Sequence, residues 1–269
     1  MAATPNPAEG TILVERDGPL LRIGIHRPSK RNGFTPDMFR QLAQAYTQLD
    51  DDAALRVGVL HASGAHFTAG LDLPSFAELM RKGEKAHPYG LVDPFDLGLP
   101  GWRRRAKPLV VAAKGITFTL GIELMLAADV VVAAQDCRFS QLEVRRGIMA
   151  TGGATLRIAQ RAGVGNAMLH LLTGGEFGAD EALRLNLVQK IVPTGRELDE
   201  ALGVARQIAE LAPLAVAATR ANVLKAVEQG PLAAAQDFLA VQQRLAASED
   251  AAEGVRSFVE KRAGRFQGR

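Results

Sequence analysis

The stretch KPLVVAAKGITFTLGIELMLAADVVVAA, residues 107–134, decides the fold of this chain. It contains two short apolar runs, at residues 109–113 and 130–134, whose length and β-branched residues predict two buried strands. Between the runs, residues 122–128 are predicted to form a helix. Because a strand, a helix and a strand at this spacing are typical of a βαβ unit, the sequence predicts an α/β fold with a mainly parallel sheet.

Two glutamates in and after this stretch are the candidate catalytic residues. Glu123 lies inside an otherwise apolar run, and Glu143 follows a second apolar stretch in RFSQLEV, residues 138–144. A carboxylate is costly to remove from water, so a buried one usually has a partner or a chemical role. The two carboxyls are therefore predicted to share one water molecule or one substrate proton. The alternative from the residues alone is that Glu123 belongs to a structural ion pair.

The rest of the chain divides into a mixed first part and a helical second part. Periodicity and turn residues predict strands at residues 12–15, 20–26 and 57–61 and a helix at residues 35–50. From residue 152 onward the pattern is mostly helical, with amphipathic helices predicted at residues 198–211, 214–229, 232–247 and 251–261. The change in composition near Leu198 predicts a core domain of residues 1–197 and a helical region of residues 198–269.

Composition and charge are those of an ordinary enzyme-like chain. Of the 269 residues 47% are hydrophobic, which is enough for a sizeable core, and the formal net charge is only +3. Four cations cluster at Arg103, Arg104, Arg105 and Lys107. This cluster is either a solvated charged face or a patch for the phosphates of a ligand. Since the chain has no basic stripe with interleaved aromatic residues, no nucleic-acid partner is expected.

Features that would direct the chain to a membrane or to secretion are not evident in the sequence. The start, MAATPNPAEG, does not have the charged and apolar regions of a secretory signal. No apolar run approaches the roughly 20 residues of a membrane helix. Cys137 is the single cysteine, so one chain can form neither a disulfide nor a multi-thiolate metal site. We expect a cytoplasmic protein with a structural Cys137 and no membrane partner.

Common catalytic motifs are missing, which leaves two loops beside the two glutamates. The sequence has no G-x-S-x-G elbow, no phosphate-binding glycine loop and no H-x-x-x-H metal spacing, and His66 is interpreted as structural. The loops are residues 66–73, HFTAGLDL, and residues 115–121, which lead into the predicted helix with Glu123. One outward backbone N–H from each loop would form an oxyanion hole. The residues alone leave open that both loops are mere connections.

Seven blocks of sequence, in order, resemble the crotonase superfamily, also called the enoyl-CoA hydratase/isomerase family. They are RPSKRNGF (27–34), HFTAGLDL (66–73), residues 107–134 quoted above, RFSQLEVRRGIMATGGATLRIAQRAG (138–163), LLTGGEF (171–177), EALRLNLVQKIVP (181–193) and SEDAAEGVRSFVEKR (248–262). The blocks span nearly the whole chain. Their order and spacing make the resemblance specific.

The resemblance implies the fold and the assembly. It implies a spiral of ββα units followed by a helical C-terminal trimerisation region, in a homotrimer or a dimer of trimers. It also implies an acyl-CoA thioester as substrate, with coenzyme A entering only as part of that substrate and with no metal or redox cofactor. The implied coenzyme A-binding residues are Ser29, Lys30, Arg31, Asn32, Phe34, Ala69, Gly70, Leu71, Asp72 and Leu73.

By the same resemblance, the backbone N–H groups of Leu71 and Leu120 would hold the thioester oxygen. Glu123 would activate water and Glu143 would deliver a proton, as in an enoyl-CoA hydratase. The alternatives are a Δ3,Δ2-enoyl-CoA isomerase, another crotonase-family reaction, or a non-catalytic acyl-CoA-binding or scaffold subunit. The chain departs from the family pattern at Thr119 and Leu120, where hydratases usually have glycines. It departs again at Leu142 and Ala150, where prolines are common.

An irregular segment, residues 82–108, is rich in glycine and proline. A loop this long inside a compact domain is often functional. Its position suggests that it shapes the acyl pocket. The candidate wall residues in and near it are Phe76, Met80, Phe95 and Trp102.

Overall fold

The computed structural model describes residues 10–269; the segment examined for a secretory signal lies almost wholly outside them. The strands are β1 (Thr11–Asp17), β2 (Leu20–His26), β3 (Val57–Ala62), β4 (Leu109–Ala113), β5 (Ile116–Phe118), β6 (Val130–Ala134), β7 (Arg138–Ser140), β8 (Phe177–Gly178) and β9 (Lys190–Val192). The helices are α1 (Pro36–Asp51), α2 (Leu73–Lys82), α3 (Leu120–Ala127), α4 (Ala154–Ala162), α5 (Val164–Thr173), α6 (Ala179–Arg184), α7 (Glu197–Ala209), α8 (Pro213–Gln229), α9 (Pro231–Ala235), α10 (Phe238–Ala246) and α11 (Glu249–Val259).

Two sheets form the framework. The larger has six strands in the order β1-β2-β3-β4-β6-β9, in which only the β1–β2 pair is antiparallel. The mainly parallel sheet predicted from residues 107–134 is therefore confirmed. The smaller sheet has the order β5-β7-β8, and β5 and β7 follow β4 and β6 directly in the chain. In two successive units, β4–β5 and β6–β7, the chain thus places one strand in the larger sheet and the next in the smaller sheet.

The hydrophobic core lies on both faces of the large sheet. One face packs against α1, α3 and the smaller sheet, with fully buried residues such as Ile23, Leu60 and Val111. The other face, which includes Val59 and Val110, is covered by α7. The first helix after the predicted domain boundary therefore packs against the sheet. The division of the chain at residue 198 stays a prediction.

The C-terminal region is helical, as predicted, with one difference. Residues 232–247 form two helices, α9 and α10, instead of one. The break is held by α8, because Asn222 donates a hydrogen bond to the carbonyl oxygen of Ala234 (2.9 Å) and Lys225 pairs with Asp237 (2.5 Å). Among the described residues no single helix is long and apolar enough to cross a membrane; α7 and α8 reach that composition only together, with a bend of 108° between them.

The basic cluster at residues 103–107 is used inside the fold. Its members bond to neighbouring groups: Arg103 to Asp51, Arg104 to Asp96 and Glu228, Arg105 to Asp129, and Lys107 to the carbonyl oxygens of Leu49 and Asp52. Arg105 is only 2% exposed. These contacts favour a structural role for the cluster over a phosphate patch. Cys137 is likewise buried, and burial raises the pKa of its thiol to about 12.

Candidate active site

Helix α3 carries Glu123 into the core. The helix follows β5 after a single residue, and all of its eight residues are buried because apolar side chains surround it on every side. Glu123 lies in the first turn and is 5% exposed. Its carboxyl is therefore placed near the N-terminal end of a buried helix, where free backbone N–H groups favour negative charge.

The Glu123 carboxyl is held by the segment that precedes α4. The N–H of Gly152 donates to Glu123 Oε1 at 2.6 Å, and the N–H of Ala154 approaches the same oxygen at 3.4 Å. Neither residue is among the candidate site residues predicted from the sequence. The signal for them was the pair Gly152-Gly153 directly before a helical pattern, because small residues at a helix start leave N–H groups accessible.

Glu143 reaches the same space from another element. It begins the short 3-10 helix Glu143–Arg146, which follows β7. Its Oε2 is buried and, among the residues the structure describes, has no hydrogen-bond partner. Both glutamates line one cavity of about 820 Å³. The structure therefore brings together the two carboxyls that the sequence analysis paired.

The surroundings raise the pKa of both carboxyls. Burial, and after it the charge of Glu143, raise the pKa of Glu123 to about 7. Three groups lower this pKa without cancelling the rise: the N–H groups of Ala154 and Gly152 and the charge of Arg157. For Glu143 the cause is again burial. Two interacting carboxyls of this kind titrate as a pair and resist double ionisation. The empty site can therefore hold one proton near neutral pH.

This shift predicts a pH dependence of stability that a glutamine variant removes. Because the native pKa of Glu123 lies above the ordinary value, the native state keeps a proton that the unfolded chain loses from about pH 4.5 upward. The free energy of unfolding therefore falls as pH rises to about 7, by up to about 3 kcal/mol from this group. Glu123→Gln should lack this contribution, so its stability relative to wild type should grow between about pH 5 and pH 8. Urea midpoints over this range measure it, and a constant difference would contradict it.

The two residues expected to hold the thioester oxygen, Leu71 and Leu120, both line the cavity beside the glutamates. Phe34 and Leu71 form a parallel β-bridge, in which the Phe34 N–H donates to the Gly70 carbonyl oxygen (2.9 Å) and the Asp72 N–H to that of Phe34 (2.8 Å). Because the N–H groups of successive residues in such a bridge point alternately toward and away from the partner segment, the N–H of Leu71 points away from Phe34. Leu120 is the first residue of α3. Within residues 10–269, neither the Leu71 nor the Leu120 N–H donates to another group.

The side chains at the two positions that depart from the family pattern lie in different places. The Leu120 side chain is 1% exposed and belongs to the main core. Thr119 is partly exposed and lines the cavity. Thr119 therefore presents its side chain to the site in the place of a glycine, whereas Leu120 contributes its backbone.

The turn predicted to contact coenzyme A has an exposed and a buried part. Exposed on the turn are Ser29, Lys30 and Arg31. Asn32 and Phe34 are buried, and the Asn32 amide donates to the carbonyl oxygens of Ser63 (2.8 Å) and His66 (2.7 Å). His66 also accepts a hydrogen bond from Ile116 at Nδ1 (3.2 Å), in line with a structural role. Asn32 and Phe34 thus hold the turn in place.

The second predicted binding segment lies directly on the cavity. Four of its residues line the cavity: Ala69, Leu71, Asp72 and Leu73. Gly70 has φ +105°, and a Cβ at this position would overlap the Thr119 hydroxyl. The segment runs beside the turn, since the Ala69 N–H donates to the carbonyl oxygen of Arg31 at 2.9 Å. The structure therefore brings the two segments together, and their contact with coenzyme A stays a prediction.

The predicted wall residues are mostly at the cavity. Phe76, Met80 and Phe95 line it, and Phe95 packs on Phe39 with ring centroids 5.1 Å apart. Trp102 is not among the lining residues; it stacks on Tyr89 outside the cavity, with centroids 4.4 Å apart. The irregular segment thus contributes Phe95 to the wall and uses Trp102 to pack the loop itself. The apolar lining fits an acyl group, and the two carboxyls that also line the cavity fit proton transfer.

Comparison with known proteins gives the family. The model of the family described as enoyl-CoA hydratase/isomerase matches residues 15–269. The chain is 33% identical to an enoyl-CoA hydratase of Mycobacterium tuberculosis over 263 residues, covering 96% of each chain. It is also 33% identical to a carnitinyl-CoA dehydratase of Salmonella typhi over 267 residues, covering 96% of this chain and 99% of that one.

Solved structures agree with these relatives. A probable enoyl-CoA hydratase/isomerase of Mycobacterium abscessus superposes with a TM-score of 0.92 at 44% identity, covering 96% of this chain and 99% of that one. An enoyl-CoA hydratase of Mycobacterium tuberculosis H37Rv superposes with a TM-score of 0.84 at 35% identity over the same shares. The sequence match, the shared fold and the paired glutamates lead to one conclusion: the chain belongs to the enoyl-CoA hydratase/isomerase family of the crotonase superfamily.

Proposed function

We propose that this protein is an enoyl-CoA hydratase-type lyase that adds water syn across the 2,3 double bond of a 2-enoyl-CoA thioester. The observation that carries the proposal is one cavity lined by two glutamates with raised pKa values and by two residues whose backbone N–H groups have no acceptor within residues 10–269. The name of one relative, carnitinyl-CoA dehydratase, describes loss of water from a CoA thioester, which is the reverse reaction.

The backbone donors would start the reaction by polarising the substrate. With the thioester oxygen between the N–H groups of Leu71 and Leu120, electron density moves from the double bond toward that oxygen. The β-carbon becomes electrophilic and the α-carbon can accept a proton. Fixed N–H donors stabilise the developing oxyanion because they do not have to reorganise during the reaction.

The two glutamates would then take opposite roles. Glu123, as a carboxylate, removes a proton from water, and the oxygen of that water bonds to the β-carbon. Glu143, as a neutral acid, gives its proton to the α-carbon on the same face. The contacts support this division, because Glu123 accepts N–H bonds from Gly152 and Ala154 that favour an anion, whereas Glu143 Oε2 has none among the described residues. Burial raises the pKa of Glu123 to about 7, so the carboxylate form that the reaction needs becomes more abundant as pH rises through this range.

A hydration assay tests the proposal. Purified protein should consume crotonyl-CoA, or a longer or aromatic 2-enoyl-CoA, with loss of the conjugated thioester absorbance and formation of the 3-hydroxyacyl-CoA. In deuterated water the two added atoms should lie on the same face of the product. The size of the cavity, about 820 Å³, supports testing acyl groups well beyond four carbons. No hydration of any of these esters would refute the proposal.

The alternatives have distinct outcomes in the same experiment. An isomerase would convert a 3-enoyl-CoA to the 2-enoyl-CoA and would incorporate no hydroxyl group. This reaction needs one glutamate to move a proton and no activated water, so a second glutamate on the same cavity weighs against it. A non-catalytic subunit would bind acyl-CoA, measured by calorimetry, without any turnover.

A further inference from the structure

Thr119, the residue immediately before α3, has an unusual backbone conformation. Its φ is +49° and its ψ is −111°, in a region that favours glycine and that costs a β-branched residue a measurable strain. Both of its backbone polar groups are fixed. The Thr119 N–H donates to the carbonyl oxygen of Ser140 at 2.9 Å, and its own carbonyl oxygen accepts from the Glu123 N–H at 3.1 Å. The conformation is therefore imposed by the sheet on one side and the helix on the other.

The Thr119 hydroxyl lies against Gly70, the residue that precedes one of the two proposed backbone donors. Thr119 lines the cavity, and its Oγ1 lies where a side chain on Gly70 would be. Gly70 precedes Leu71 in the chain, and Thr119 precedes Leu120. The hydroxyl thus lies against the chain neighbour of Leu71 and belongs to the chain neighbour of Leu120, the two residues whose N–H groups would form the oxyanion hole. Within residues 10–269 the Thr119 hydroxyl caps no helix and has no other hydrogen-bond partner, so its single O–H is available to a ligand.

We propose that the Thr119 hydroxyl is a third hydrogen-bond donor to the thioester oxygen, beside the N–H groups of Leu71 and Leu120. The inference rests on the acyl-CoA reaction proposed above and adds to it a residue that touches the substrate. A hydroxyl at this point strengthens its bond as negative charge grows on the oxygen, so it favours the transition state over the bound substrate. A glycine at residue 119 would relieve the strain but would offer no such donor.

Two matched variants distinguish the effect of the Thr119 hydroxyl on catalysis from the effect of the shape of the side chain. Thr119→Val keeps the branching, the size and the strained backbone and removes the O–H. Thr119→Ser keeps the O–H and removes the methyl group. We expect Thr119→Val to lower kcat by about 10-fold to 100-fold with a smaller change in KM, and Thr119→Ser, which retains the donor, to lose clearly less kcat than Thr119→Val. Wild-type kcat in Thr119→Val, or equal losses in both variants, would overturn the inference.

A glycine variant tests whether a loss of kcat in Thr119→Val comes from misfolding instead of from the missing hydroxyl. Thr119→Gly lacks the hydroxyl but is free of the strain, since glycine adopts positive φ readily. If valine disturbs folding, as judged by urea unfolding, Thr119→Gly should still show the loss of kcat. Wild-type activity in the well-folded glycine variant would overturn the inference as well.

A spectroscopic readout is independent of turnover. Butyryl-CoA labelled with ¹³C at the carbonyl has no double bond to hydrate, and its C=O stretch falls in wavenumber when the oxygen accepts hydrogen bonds. The downshift on binding should be smaller in Thr119→Val than in wild type. If wild type hydrates no enoyl-CoA but the downshift is still smaller in Thr119→Val than in wild type, the inference holds and the proposed reaction fails. If wild type hydrates an enoyl-CoA and the two downshifts are equal, the inference fails alone. If wild type neither hydrates any enoyl-CoA nor binds butyryl-CoA, both fail.

Discussion

Glu143→Gln should lower kcat for hydration of a 2-enoyl-CoA by about 10²-fold to 10⁴-fold, the range typical of general acid–base catalysis. The amide has nearly the size of the carboxylic acid but cannot give a proton to the α-carbon. KM should change little, because the N–H donors and the apolar walls of the cavity remain. Steady-state kinetics with the best substrate from the hydration assay measure both constants.

Glu123→Gln should cause a loss of the same order, since an amide cannot accept the proton of the attacking water. The double variant should lose little more than either single one, because residues that act on one step as a unit are not additive. Glu210→Gln, on an exposed carboxyl that follows α7, is the control for a lost carboxyl and should behave as wild type. Wild-type hydration by both folded single variants would exclude the two-glutamate mechanism. Isomerase activity that survives in only one of them would favour the one-glutamate reaction instead.

The glutamate pair was predictable because its physical signal is local. A carboxylate in an apolar run is expensive to bury, so Glu123 stands out from the sequence without any knowledge of the fold. The strands at residues 109–113 and 130–134 are equally local, since each is a short apolar run with clear ends. The predictions made from these local features, a mainly parallel sheet and a buried Glu123 carboxyl, are therefore correct.

Other elements have no such signal. Strands β5 and β7 have three residues each and β8 has two, which is too short for an alternating pattern to be recognised. They form only because the larger sheet brings their segments side by side. The single predicted helix over residues 232–247 was wrong for a related reason, because the contacts that divide it come from α8.

The support of Glu123 is another property that the sequence does not reveal. Its carboxyl accepts from Gly152, 29 positions along the chain, and the group that donates is a backbone N–H that every residue except proline has. The orientations of the Thr119 and Leu120 side chains, at the two positions that depart from the family pattern, could not be predicted from the sequence either. Both residues add a side chain where hydratases have glycine, yet only the backbone angles decide that Leu120 packs in the core and Thr119 faces the cavity.

Gly152→Ala should reduce kcat/KM by about 10²-fold, because the new methyl group would displace the Glu123 carboxyl. A Cβ on Gly152 would lie 2.5 Å from Glu123 Oε2 and 2.7 Å from its Cδ, and it would also overlap the ring of Phe95. Either the carboxyl or the ring has to move, and a displacement of about 1 Å at a reacting group is enough for a loss of this size. Overpacking should also lower the free energy of unfolding by about 1–3 kcal/mol.

Gly165→Ala is the matched control, because it makes the same chemical change where there is room for it. A Cβ on Gly165, in α5, would have no heavy atom within 4 Å. This variant should keep wild-type kcat/KM and gain up to about 1 kcal/mol of stability, since alanine is the better helix former. Rates are compared per folded molecule, from urea unfolding curves measured on the same samples. Wild-type kcat/KM in folded Gly152→Ala would mean that the reaction does not depend on the position at which Gly152 holds Glu123, and the assignment of Glu123 as the base would fail with it.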